Sequence, residues 1–308
     1  MTTFADRLTD AVLRRETPVL VGLDPRFAQL PDSLTKDLAT DDWPAIANAY
    51  VEFCKGVIDV VAPLVPAVKP QAAFFEQIGP TGMTALANVI AYAQDKGLLV
   101  ILDGKRNDIG STATAYADGL LGPGGTSPWG ADALTVSPYL GQDSLEPFVD
   151  VARDRGAGVF CLVKTSNPGG GLFQDLVVDG QPVYRYVAEL VQQLAAETKG
   201  DCGYGAVGAV VGATYPEQLP ELRAAMPSAW LLVPGYGSQG GAAADVVGAF
   251  DENGLGGIIN NSRAIIFAYR RPEFEEIGKN NWQDAVEAAT KQMILELDDA
   301  GITPRAPH

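Results

Sequence analysis

The chain of 308 residues contains one histidine, His308, at its last position. No Ser-His-Asp triad, Cys-His pair or histidine-based metal site can be assembled from it. Cysteine is scarce too. Cys54, Cys161 and Cys202 are widely spaced, odd in number and without a CxxC pairing. That argues against a disulfide framework or zinc site and for reduced, buried thiols. Basic residues are outnumbered, 22 Lys and Arg against 38 Asp and Glu, for a formal net charge of -16. Such a surface repels nucleic-acid backbones and anionic membranes alike, so neither is expected as a partner. No apolar run reaches membrane-spanning length. Residues 1–16 alternate charged and apolar side chains with no apolar signal-peptide core, so a cytoplasmic location is expected. Internal repeats and low-complexity linkers are absent as well.

What the chain does have is a succession of short apolar runs, at 18–24, 65–69, 98–103, 131–136, 157–164, 206–212, 229–234 and 256–260. Most are continuous rather than alternating, the mark of parallel strands covered by helices. Segments with helical spacing separate them, at 45–61, 81–96, 145–155, 183–198, 216–226 and 242–252. A helix at 4–15 precedes the first strand and is placed to plug a barrel floor; another, at 282–300, closes the chain. Eight strands with intervening helices predict an α/β fold, a single (β/α)8 TIM barrel with an extra N-terminal helix. Its core would span about 18–270, and residues 1–308 would form one domain. A doubly wound open sheet is the alternative. Glycine- and proline-rich stretches at 119–130 and 167–171 read as loops. The second, continued by 174–184, is long enough for a lid over the fifth strand.

The most informative stretch is Asp103-Gly104-Lys105-Arg106-Asn107-Asp108, directly after the third apolar run. Strand ends are where α/β folds keep their chemistry. Asp103 and Lys105 are two apart, so on an extended backbone they point to the same side. Lys69 ends another apolar run, and the set could form an alternating charge array. Taken singly, an Asp or Lys near a strand end is most often a solvated surface charge. The combination is harder to dismiss. Further on, Pro234-Gly-Tyr-Gly-Ser-Gln-Gly-Gly241 contains G-x-G-x-x-G, but far from an opening βαβ unit and without the acid a ribose contact requires. In a barrel this is the loop after strand seven, and Arg263 lies in the loop after strand eight. Glycine amides including that of Gly240, the Gln239 side chain and the Arg263 guanidinium could together bind a dianion.

These pieces resemble the orotidine 5'-phosphate decarboxylase family, in its longer bacterial form. The resemblance rests on Asp103-x-Lys105-x-x-Asp108-Ile109 followed by Thr112, on Lys69, and on Gly22-Leu23-Asp24-Pro25. It continues through Ser166-Asn167-Pro168-Gly169, Gly212-Ala213-Thr214, the Gln239 loop and Arg263. It implies decarboxylation of orotidine 5'-monophosphate to uridine 5'-monophosphate without metal or organic cofactor. It also implies roles. Lys105 would protonate C6, with Lys69, Asp103 and Asp108 completing a Lys-Asp-Lys-Asp array. Asp24 and Lys69 would hold ribose hydroxyls, and Ser166 would contact the pyrimidine. Gln239 and Arg263 would grip the phosphate. Asp108 and Thr112 would reach the partner subunit's site in a homodimer.

Three rivals remain at this stage. The same Asp-x-Lys-x-x-Asp pattern could serve a magnesium-dependent keto-sugar-phosphate decarboxylase or synthase. A Schiff-base aldolase could use Lys105 or Lys164. A non-enzymatic phosphate-binding barrel is the third. Lys164, Tyr139 and the insertion at 26–43 have no assigned role.

Overall fold

The computed structural model describes residues 2–237 and 241–306. Among the described residues, eight parallel strands pair in sequential order and close on themselves. They are β1 (Val19–Leu23), β2 (Ala67–Pro70), β3 (Leu99–Arg106), β4 (Ala133–Val136), β5 (Gly158–Lys164), β6 (Val207–Val211), β7 (Leu231–Val233) and β8 (Gly257–Asn261). β8 returns to β1 through Val19 opposite Ile259. The fold is therefore a (β/α)8 barrel, and the open-sheet alternative is excluded by that last pairing.

Each strand alternates between an outer and an inner face. Outward residues such as Val68, Val100, Leu134 and Val159 join the large core shared with the surrounding helices. Inward residues Leu20, Ala67, Ile101, Ala133, Phe160, Leu232 and Ile258 form a second core inside the barrel. The helix α1 (Phe4–Arg15) completes that inner core with Phe4, Ala5, Leu8 and Val12, so it does plug the floor. Phe4 stacks edge-on against Phe160, with ring centroids 5.9 Å apart. The floor also holds a buried polar centre. Asp132 accepts hydrogen bonds from Arg7, from Gln94 Nε2 at 3.1 Å and from the Val100 amide at 2.9 Å.

The outer helices are α2 (Trp43–Val61), α3 (Gly79–Asp95), α4 (Gly110–Leu120), α5 (Gln142–Arg155), α6 (Val183–Glu197), α7 (Gln218–Ala225) and α8 (Trp282–Asp299). Two differ from expectation. α4 falls where none is predicted; it buries only Ala113, Ala117 and Leu120, too small an apolar stripe to stand out in the sequence. The helix expected at 242–252 shrinks to Ala243–Val246 plus a 3-10 turn, Val247–Ala249. A Cβ on Gly248 would lie 2.6 Å from the Pro220 ring, so close backbone packing replaces a regular helix there. The insertion at 26–43 forms a 3-10 turn (Phe27–Gln29) and a short helix (Asp32–Thr35). Tyr269 and Arg270, beyond β8, both donate to the Gln29 carbonyl and fasten it.

Candidate active site

Two residues above the inner apolar layer, the parity of the strands carries polar side chains to the barrel mouth. Ala67 leads to Lys69, Ile101 to Asp103 and Ala133 to Thr135. Asp103 is the hub. Its Oδ2 accepts from Lys69 Nζ at 2.7 Å and from Gln71 Nε2 at 2.9 Å. Its Oδ1 accepts from Lys105 Nζ at 2.6 Å and from Thr135 Oγ1 at 2.9 Å. One carboxylate thus lies between two ammonium groups with all its strong acceptor directions used.

The two ammonium groups are not equivalent. The Lys69 side chain is 6% exposed and that of Lys105 is 47% exposed. Burial alone would lower the Lys69 pKa, but the Asp103 and Asp24 carboxylates outweigh it and raise it above its ordinary value. Burial likewise opposes ionisation of Asp103, yet the ammonium groups of Lys69 and Lys105 hold its carboxyl well below the usual carboxylate range. Both groups of the buried pair therefore stay charged at neutral pH.

Lys105 reaches Asp103 by an unexpected route. From Leu102 to Arg106, β3 advances four residues while β4 advances two, from Leu134 to Val136. The bulge forces Lys105 into left-handed backbone, φ +44°. Strain of this kind in a β-substituted residue persists only where the surroundings impose it. Here Thr135 Oγ1 accepts from the Lys105 amide at 2.9 Å while donating to Asp103, so one hydroxyl fixes both residues. The extended-strand argument brought the two side chains together correctly, but the geometry behind it is a bulge.

Around this triad, side-chain oxygens buried without a hydrogen-bond partner among the described residues gather at the same rim. They include Asp24 Oδ1 beyond β1, Asn107 Oδ1 beyond β3, Thr214 Oγ1 beyond β6, and Asn260 Oδ1 and Ser262 Oγ at β8. Buried acceptors left unpaired mark where a ligand's donors can enter. Gly22 lets the ends of β1 and β8 approach closely, since a Cβ there would come within 2.7 Å of Ser262 Cβ.

The loop after β7 turns back on itself through its glycines. Gly235 and Gly237 both have positive φ, the Gly237 amide donates to the Gly241 carbonyl at 2.8 Å, and Tyr236 bridges to Gly241. A Cβ on Gly237 would lie 3.3 Å from Asn261 Nδ2, so the loop sits against the end of β8. Arg263 is exposed just beyond that strand. Gln239 and Gly240, the other expected phosphate contacts, lie outside the described residues.

The remaining candidates fall at the same rim. Ser166, partly buried, follows β5 with its backbone against Gly212 of the β6 end. Asp108 accepts from the Ile109 amide at 2.8 Å, and no hydrogen bond or ion pair joins it to the Asp103 cluster among the described residues. Thr112 is exposed in the first turn of α4. Sequence reasoning missed Gln71 and Thr135, although strand parity already aimed Thr135 inward. Lys164, left open between pairing and solvent, is buried and paired with Asp175.

A closed barrel with a buried Asp flanked by lysines at one mouth, and a glycine loop beside it, defines an enzyme acting on a small phosphorylated substrate. A family model for "Orotidine 5'-phosphate decarboxylase / HUMPS family" matches residues 18–275. An orotidine 5'-phosphate decarboxylase of Rhodopirellula baltica is 60% identical over 300 residues, covering 96% of this chain and 99% of the relative. One from Deinococcus radiodurans is 46% identical over 267 residues, with 86% and 90% covered. Among solved structures, an OMP decarboxylase of Leishmania donovani superposes with a TM-score of 0.75 at 34% identity, over 97% of this chain and 98% of that one. The chain belongs to the orotidine 5'-phosphate decarboxylase / HUMPS family.

Proposed function

We propose that this protein is a carboxy-lyase that converts orotidine 5'-monophosphate to uridine 5'-monophosphate, a step of pyrimidine biosynthesis. The observation that carries the reading is the Lys69–Asp103–Lys105 array, in which the exposed ammonium of Lys105 sits on strained backbone at the mouth. In the reaction the C6–carboxylate bond breaks, carbon dioxide leaves and the electron pair stays on C6. The Lys105 ammonium faces that carbon, lowers the energy of the developing carbanion and then gives it a proton. Water reprotonates the amine, which its exposure allows. Asp103, fixed as a carboxylate, holds Lys105 in place and faces the substrate carboxylate only until that group departs. Asp24 and Lys69 take the ribose hydroxyls, Ser166 the pyrimidine, and Gln239, Gly240 and Arg263 the phosphate. The reading takes 1–308 as one barrel domain.

No cofactor is needed for this chemistry. Lys164, the other Schiff-base candidate, is already paired with Asp175, which weighs against the aldolase reading. Conversion of orotidine monophosphate by purified protein in excess chelator is the decisive experiment. Appearance of uridine monophosphate is expected; activity only with added magnesium would favour the metal-dependent rival.

The working unit in this reading is a homodimer, with Asp108 and Thr112 near the partner's site. Exposed apolar side chains support it. They concentrate on three neighbouring segments of the same rim: Ile109 and Tyr116 after β3, Tyr139 and Leu140 after β4, and Leu172, Phe173, Leu176 and Val177 after β5. A band of that kind is what a self-complementary interface buries. Mixing Lys105→Ala and Asp108→Ala subunits should restore roughly a quarter of the wild-type activity, because half the dimers would be hybrids with one intact site each. No recovery despite proven exchange would mean each site is built by one subunit. We place the enzyme in the cytoplasm, consistent with free Cys54, Cys161 and Cys202 and with no described helix long and apolar enough to cross a membrane.

A further inference from the structure

Lys164 is the last residue of β5, and its side chain is 1% exposed. An ammonium withdrawn from water needs compensation. It comes from the Asp175 carboxylate, eleven residues on, and from the rings of Tyr215 and Tyr184, whose centroids lie 4.8 Å and 5.4 Å from Nζ. The neighbouring residue is tied to the same piece of chain. Gln174 Oε1 accepts from the Thr165 amide at 3.0 Å, and Gln174 Nε2 donates to Thr165 Oγ1 at 2.8 Å. Two consecutive side chains of the loop thus close it onto two consecutive residues of the strand end. The next residue is Ser166. On its other side stands Gly212, where a Cβ would come within 2.8 Å of the Ser166 amide nitrogen and Cα.

Ser166 is therefore bounded by the β6 backbone and anchored, through Thr165, to the middle of its own loop. Within one subunit Leu172, Phe173, Leu176 and Val177 of that loop are exposed, so its apolar side chains do not fasten it to its own barrel. We propose that Gln174 and Asp175 are positioning residues, a clasp that fastens the 165–182 loop to Thr165 and Lys164 and so fixes Ser166 against the pyrimidine ring. The clasp makes the site favour phosphorylated ribosides that carry a base over ribose phosphates that carry none. This rests on the reading of Ser166 as the base contact. An unclasped loop must be ordered anew each time a base binds, whereas a ligand held only through ribose and phosphate has no such demand.

The test compares wild type with Gln174→Ala and Asp175→Asn, each also in a Ser166→Ala background. KM and kcat are measured with orotidine monophosphate, and inhibition with uridine monophosphate and with ribose 5-phosphate. Each clasp variant is expected to raise KM and the uridine monophosphate inhibition constant about tenfold. It should leave ribose 5-phosphate inhibition unchanged and add nothing once Ser166 is already alanine. Equal weakening of both inhibitors, or a full effect persisting without the serine, would overturn the proposal. If Asp175→Asn folds poorly because Lys164 loses its carboxylate, Gln174→Ala, whose side-chain hydrogen bonds both involve Thr165, decides the matter alone. Wild-type protein that does not turn over orotidine monophosphate would sink the underlying function. Wild-type turnover with kinetically unchanged variants would sink only the clasp.

Discussion

Two buried aspartates stand at opposite ends of the barrel, and their surroundings differ in kind. At the floor, Asp132 is held by a backbone amide, a glutamine and Arg7, whose other terminal nitrogen donates to the Gly156 carbonyl at 2.9 Å. Both terminal nitrogens of Arg7 thus have partners within the chain. At the mouth, Asp103 is held wholly by side chains, and two of them are ammonium groups with protons left to give. The floor cluster closes a structure, while the mouth cluster puts two ammonium groups on one carboxylate and leaves half of one lysine in water. Burial and ion pairing alone therefore do not separate the two clusters; an ammonium group that faces an opening does.

That contrast can be broken most directly at Lys105. Lys105→Ala should lower kcat by on the order of 10⁴-fold or more, since in the proposed reaction this ammonium is both the proton donor and the charge facing the carbanion. Thermal stability should stay near wild type, because the side chain is half exposed and its ion pair is partly screened. Steady-state kinetics beside a melting curve would show whether the two properties separate. Substantial residual turnover would return the mouth to the same class as the floor.

Asp103→Asn attacks both properties together. It leaves the Lys69 ammonium buried without its main partner, so stability at neutral pH should fall by about 3–5 kcal/mol. The pH dependence carries the sharper signature. In the wild type the Asp103 pKa is depressed below its ordinary 3.8, so its stabilisation is present above that value and is lost as pH falls through the lower folded value. Lys69 is raised above 10.5, so its stabilisation is present below that and is lost as pH rises through the higher folded value. The pair therefore stabilises most between these limits. In Asp103→Asn the acid limb should flatten. Burial, the largest influence on Lys69, should pull its pKa below 10.5. Stability would then rise with pH approaching 10.5, where the wild type shows no such rise. Denaturant titrations across both limbs would reveal an unchanged alkaline slope if Lys69 does not depend on Asp103.

The floor supplies the complementary experiment. Arg7→Met should cost about 2–3 kcal/mol, less than a fully buried pair because the arginine side chain is 27% exposed. Folded protein should keep the wild-type kcat. A kinetic defect in fully folded Arg7→Met would show that the floor and mouth are coupled through β3 and β4.

How much of this contrast the sequence already carried depends on which interaction is at stake. Continuous apolar runs located the strands, because a parallel strand covered on both faces has no polar side to confuse the pattern. Leu98-Leu99-Val100-Ile101-Leu102 ends at Asp103 for the same reason. α4 escaped because alanines at 113 and 117 make a buried face that composition cannot separate from a loop rich in glycine and threonine. The long helix expected after β7 failed on one packing contact, Gly248 against Pro220, that no local pattern encodes. At the site, Lys69, Asp103 and Lys105 were legible as charges closing apolar runs. Their partners Gln71 and Thr135 were not, because parity says which face a side chain occupies and not whom it meets. Lys164 and Asp175 met across a loop whose path only the folded chain defines.

Least visible of all was the backbone of Lys105, and it offers the finest comparison. Its φ of +44° is imposed by the β3 bulge and the Thr135 hydroxyl rather than by any preference of lysine. Alanine at this position keeps the Cβ and hence the strain, whereas glycine removes it. Lys105→Gly should therefore be more stable than Lys105→Ala by about 1 kcal/mol, the reverse of the order expected in regular structure. Both variants lack the ammonium, so the difference reports backbone alone. Equal stabilities, or a less stable glycine variant, would mean the bulge relaxes freely. The strain would then have no part in presenting the proton donor, and the side-chain array alone would distinguish the mouth from the floor.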